Sequence, residues 1–115
     1  MWKAQTVFRG HGAPVYAVAS DGEWIYSAAG DAFVVRWNVL TGTQDAFTIR
    51  LDKAAYAILC AHNLLFVGSS NGTLIAIDPV SKKLLWESNR YGHPIFAIAS
   101  SSINNKFLLV IVKVI

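Results

Sequence analysis

The sequence predicts an all-β chain, a partial β-propeller of about 2.5 four-stranded antiparallel blades. Three observations carry this. Slid against itself by forty residues, the chain pairs Val15–Asn38 with Ala55–Asp78 without a gap, and the start of a third copy follows. The three openings read VYAVAS from Val15, AYAILC from Ala55 and IFAIAS from Ile95, so an apolar residue, an aromatic, an alanine and a β-branched residue recur in order. Between them, short apolar or alternating runs are punctuated by glycine, aspartate and asparagine, the residues of tight turns. Units of this length cannot bury their own faces and must stack on neighbours.

The first unit reads as four strands. Pro14–Ser20 is followed by an Asp21-Gly22 turn, Trp24–Ala28 by a tight turn at Gly30-Asp31, and Phe33–Asn38 by a turn at Thr41-Gly42 that leads into Ala46–Leu51. The second unit repeats the plan with Ala54–Cys60, Leu64–Gly68, Thr73–Asp78 and Leu84–Glu87. Here Asn71-Gly72 stands at the place of Gly30-Asp31, a hairpin dipeptide in which both central positions tolerate φ > 0. Pro79 follows a strand, where its missing N–H does least harm. The third unit opens with GHPIFAIAS, but SSINNKFLLVIVKVI has no Gly-Asp or Asn-Gly where a second hairpin should bend, which predicts a broken blade. The domain reading is one incomplete propeller over residues 1–115, with blades at 10–51 and 52–91 and the broken blade at 92–115. An exposed edge over Phe107–Ile115 would template pairing with another chain.

The recurring Ala17, Ala57 and Ala97 fit a hub where innermost strands crowd together, with Val15, Val18, Ile58, Ile95 and Ile98 filling the layers between blades. Two units and part of a third are fewer than the roughly 4 to 8 blades that close a ring. The expectation is therefore a fragment or a self-associating chain, two or three copies completing one ring as a homo-oligomer.

Composition narrows the partners. Although 54% of the residues are apolar, no run reaches the roughly 18 that a membrane-spanning helix needs, so no membrane partner is expected. The opening MWKAQTVFRG lacks the apolar stretch of a secretory signal, which points to a cytoplasmic or nuclear setting. Cys60 is the single cysteine, so no disulfide forms within the chain, and its strand position suits a small buried hydrophobe. The net charge is +3, yet the basic residues are scattered and only Lys82-Lys83 are adjacent, so no nucleic acid is expected. Trp2, Trp24, Trp37 and Trp86 read as packing residues and not as a stacking platform in a basic groove.

With these residues in view, the first unit resembles a WD-repeat β-propeller blade over its whole length. Gly10-His11 precedes the inner strand, Val15 follows four residues after the histidine, Gly30-Asp31 makes the tight turn, and Arg36-Trp37-Asn38 stands where that family ends its third strand with a Trp-Asp pair. The resemblance implies a structural hydrogen-bond network of His11, Ser27, Asp31 and Trp37. In the second unit Leu51, Val67, Asn71 and Ile77 occupy those positions, so the frame stays and the network goes. The stretch GTLIAIDPVSKKLLWE, from Gly72 to Glu87, also looks like the repeats of quinoprotein-type propellers.

Catalytic and cofactor readings fare poorly. His11, Ser27 and Asp31 invite a nucleophile–base–acid triad, but Ser27 sits mid-strand between Tyr26 and Ala28 with no nucleophile-elbow glycines. Cys60 and His62 lack a second pair of soft ligands for zinc, so no metal is expected. Gly68-Ser69-Ser70-Asn71-Gly72 is a hairpin and not a phosphate cradle, since no helix and no lysine follow. Asn71-Gly72-Thr73 is a glycosylation acceptor only in a secreted protein. No cofactor is expected, and the chain reads as a non-catalytic protein–protein interaction scaffold. Its alternative is a blade set of a quinoprotein-like enzyme, which would need carboxylates and an arginine on the inner strands. The candidate protein-binding residues, on loops entering the inner strands or on the turns beside them, are Lys53, Asn71, Arg90 and Tyr91.

Overall fold

The structure, a computed structural model, describes residues 10–88, 92–103 and 106–113, and every helix or strand among them is a strand. β1 (Val15–Ser20), β2 (Trp24–Ala29), β3 (Phe33–Asn38) and β4 (Thr43–Arg50) pair in chain order as an antiparallel meander. β5 (Ala55–Ala61), β6 (Leu64–Ser69), β7 (Leu74–Ile77) and β8 (Leu84–Glu87) repeat it. β9 (Ile95–Ile103) and β10 (Lys106–Lys113) form a two-stranded hairpin in register Lys106↔Ile103, so the third blade consists of its first two strands. The fold is the predicted one. The largest boundary difference is β4, which begins at Thr43 directly after the Gly42 turn and not at Ala46.

One turn differs in kind from its expectation. The bends between second and third strands span Ala29–Ala32 and Ser69–Gly72, closed by Ala32 N–H to Ala29 O at 3.2 Å and Gly72 N–H to Ser69 O at 3.2 Å. Only the last residue of each lies in the left-handed region, Ala32 at φ 66° and Gly72 at φ 83°. Asn71 does not, because the loop is a four-residue turn ending in a left-handed residue and not a two-residue hairpin. The two-residue hairpin falls instead at His62-Asn63, φ 52° and 60°, between the paired Ala61 and Leu64.

Blades lie side by side. One face of the first sheet, with Tyr26, Ala28, Val34 and Phe47, closes on Ala55, Ile58, Leu65, Val67 and Ile77 of the second in one buried cluster. The opposite face of the second sheet, with Ala57, Phe66, Leu74 and Ala76, buries Ile95 and packs Ile98 of the third. The innermost strands make these junctions, β5 against β1 and β2, and β9 against β5 and β6. At each junction small and large side chains compensate. Ala28 and Ala55 share the first, whereas at the second Gly68 leaves room for Ile95, the residues forty positions on. Val15 and Val18 do not fill an interblade layer as expected; they are 50% and 65% exposed, because no described element covers that face of the first blade.

Candidate interaction surface

The three inner strands share a defect that places three aromatic rings. Register shifts between Val15 and Ala17, between Ala55 and Ala57, and at Ile95/Ala97 against Val112/Lys113 leave Tyr16, Tyr56 and Phe96 as the extra residue of a β-bulge. A bulge re-aims its side chain. The rings form a row across the blades: Tyr16 meets Tyr56 edge-on at 4.9 Å between centroids, and Tyr56 stacks on Phe96 at 5.2 Å. Tyr16 is 51% and Phe96 49% exposed. The row lies at the loop end of the blades, since a Cβ on Gly30 in the first tight turn would touch the Tyr16 ring. Gly30 N–H donates to Pro14 O at 3.0 Å and Ser70 N–H to Ala54 O at 2.9 Å, so each entry loop is tied to the turn of its own blade. The recurring aromatic at the second position of each opening was the sequence signal for this row; the bulge that exposes it left no mark in residue type.

Behind the first loop, the structure brings His11, Ser27, Asp31 and Trp37 together. Trp37 Nε1–H donates to Ser27 Oγ at 2.8 Å, Ser27 O–H to His11 Nε2 at 2.7 Å, and His11 Nδ1–H to Asp31 Oδ2 at 3.1 Å. This tautomer is assigned from the chain of donors and acceptors, and it satisfies every member. Asp31 also accepts Gly12 N–H at 3.0 Å and Phe33 N–H at 3.1 Å, pinning the entry loop and the turn. Burial alone would raise the Asp31 carboxyl, but the Phe33 amide, the His11 ring and the Gly12 amide outweigh it and hold it below the ordinary carboxylate value. The Asp–His–Ser distances are those of a triad. Ser27, however, is 4% exposed and its oxygen is engaged as both donor and acceptor.

The second blade keeps the turn and loses the rest. Asn71 Oδ1 accepts Thr73 N–H at 3.1 Å, as Asp31 accepts Phe33 N–H, and also the Ser69 hydroxyl. Around it opens a cavity of about 260 Å³ between the end of the first blade and β6 to β8, lined by Leu51, Val67 and Ile77, with Lys53 and Asn71 also at its wall. Thus Lys53 and Asn71 share one cavity, while Arg90 and Tyr91 lie outside the described residues. Among the described residues no group of three His, Cys, Asp or Glu side chains could hold a metal ion.

At the far end of the first two blades, Arg36 donates to Asp45 Oδ2 through Nε at 2.9 Å and lies over Trp24 at 4.2 Å and Phe47 at 5.0 Å. The Arg36 guanidinium and then the Phe47 amide hold Asp45 low. A cavity of about 550 Å³ opens there beside Cys60, whose thiol is pushed up to about 11 by burial and by the Asp21 carboxylate.

Residues 2–38 match the family model for the WD domain, G-beta repeat. No curated protein matches the chain. Solved structures do: that of U3-55K is 17% identical with a TM-score of 0.70, covering 76% of this chain and 30% of that one. That of the RRP9 WD40 repeats is also 17% identical at a TM-score of 0.70, covering 76% and 29%. Sqt1 of Saccharomyces cerevisiae is 6% identical at a TM-score of 0.74, covering 86% of this chain and 28% of that one. The chain spans under a third of the length of these structures, and at such identities the likeness is one of fold. The first blade is a WD repeat, and the chain as a whole has the fold of WD-repeat β-propeller blades.

Proposed function

We propose that the chain is a non-catalytic protein-interaction scaffold that takes a protein or peptide on its loop end. Its units are the blades 10–51 and 52–91 and the broken blade 92–115. The row of Tyr16, Tyr56 and Phe96 carries the reading: stacked aromatic rings, half exposed beside loops held by the sheets, are the kind of surface that dominates protein interfaces. Lys53 and Asn71 stand at the rim of the same end, and we extend the reading to Arg90 and Tyr91. His11, Ser27, Asp31 and Trp37 have a structural role in it, holding the first loop in place.

The quinoprotein-like alternative requires carboxylates and an arginine on the inner strands, and VYAVAS, AYAILCA and IFAIASSSI contain neither. The uncovered face of the first blade, with Val15 and Val18, supports self-association into a homo-oligomer, measured by light scattering across a concentration series; a monomer throughout would remove that part. A cytoplasmic or nuclear setting, with no nucleic acid and no membrane, completes the reading.

The test is affinity capture with the intact chain and with a Tyr16→Ala, Tyr56→Ala, Phe96→Ala variant of unchanged circular dichroism. Proteins held by the first and lost by the second are expected, each ring contributing about 2 kcal/mol or less. Identical protein profiles would remove the aromatic row as the binding surface.

A further inference from the structure

We infer that the cavity of the second blade is a docking pocket for the phenyl ring of a phenylalanine in a partner peptide carrying a carboxylate beside it. This rests on the reading of the chain as a protein-binding module. The ground is a comparison of the chain with itself. In the first blade the Trp37 indole fills the space between β3, the entry loop and β4, so closely that a Cβ on Gly10 would lie 2.8 Å from Trp37 Cη2 and 2.9 Å from Gln44 Oε1. Forty residues on, Ile77 replaces Trp37, Arg50 replaces Gly10 and Leu84 replaces Gln44, and all three line the cavity of about 260 Å³. The pocket is thus the place that an aromatic side chain of the chain itself occupies one blade earlier.

Its chemistry selects the occupant. Val67 and Ile77 in its wall are fully buried and Ile75 nearly so. An apolar cavity of about 150 Å³ already takes a benzene ring, so a phenyl group fits with room to spare. An indole would bring an N–H, and the hydroxyl that receives it in the first blade, Ser27, is Val67 here; a donor left unpaired in an apolar site is disfavoured. At the rim, Arg50, Lys53 and Lys82 face Asp52 and Glu87, three cations against two carboxylates, which favours an acidic neighbour to the ring.

The probe is N-acetyl-phenylalanine, with N-acetyl-phenylalanine amide and N-acetyl-alanine as controls, titrated into the methyl-labelled chain and followed by NMR. Shifts are expected at the Leu51, Val67, Ile77 and Leu84 methyls, at least tenfold weaker binding of the alanine probe, and weaker binding of the amide. Ile77→Trp should fill the pocket and abolish the response; should it unfold the chain, Ile77→Phe, which adds less volume, takes its place. Equal responses to the phenylalanine and alanine probes, shifts elsewhere only, or a response that survives a folded filled variant would overturn the assignment. So would methyl shifts that depend on protein concentration without probe, which would make a second copy the occupant. The Tyr16, Tyr56 and Phe96 substitutions leave these methyls untouched, so failure of the pocket and failure of the scaffold reading are read separately.

Discussion

Gly68→Ala should break the second blade junction, and Ile95→Ala should repair it. A Cβ at position 68 would stand 2.8 Å from Ile95 Cβ and nearer still to Ile95 Cγ2. Both atoms sit at the branch of a fully buried side chain, so no rotation clears them and the sheets must part. Overpacking of this kind costs about 1–3 kcal/mol. Ile95→Ala alone removes buried apolar atoms and leaves a cavity, at about 2–5 kcal/mol. The double variant places two alanines at the positions that Ala28 and Ala55 already hold, both fully buried, at the first junction. The added methyl then occupies part of the vacated space, so the two losses should fall short of their sum by about 1–3 kcal/mol. Urea unfolding of the four proteins, read as midpoint and slope, measures this directly. Losses that add within about 0.5 kcal/mol would mean that residues 68 and 95 do not touch, and the stacking of the third unit on the second would fall.

Three further outcomes follow from single residues. Because the folded Asp31 carboxyl sits below its ordinary value of 3.8, its contribution to stability is fully present above about pH 4 and is lost as pH falls through the folded value; Asp31→Asn should flatten the stability–pH profile on that acid side. Ala32, at φ 66° in the turn whose counterpart is Gly72, should gain up to about 1 kcal/mol of stability on Ala32→Gly, while Gly72→Ala should lose about 1 kcal/mol; calorimetry showing the opposite signs would remove the turn geometry. With its thiol near 11, Cys60 should react with iodoacetamide at pH 8 roughly 100-fold more slowly than an unperturbed thiol, and an ordinary rate would contradict the burial of that strand.

Much of this was legible in residue type. The forty-residue period and the turn residues located nine of the ten strands, because apolar runs bounded by glycine, asparagine and aspartate have few other folded solutions. The Trp37, Asp31, His11 and Ser27 positions could be picked out because a hydrogen-bonded chain needs specific donors and acceptors at specific places. Geometry without a residue signature stayed hidden. A bulge at Tyr16 looks like any strand residue, the left-handed Ala32 contradicts its own preference, and the pairing of Gly68 with Ile95 joins two blades whose distance no local pattern reports. The cavity of the second blade was half legible: Ile77 at the place of Trp37 was visible as a loss, but the space it leaves depends on Arg50 and Leu84 not closing over it.

The stacking of the forty-residue units is most directly tested by nuclear Overhauser contacts among the rings of the inner strands. With centroids at 4.9 Å and 5.2 Å, the Tyr56 ring protons should show cross-peaks to both Tyr16 and Phe96, residues forty positions away on either side. Cross-peaks confined to neighbours within each unit would show that the blades do not lie against one another.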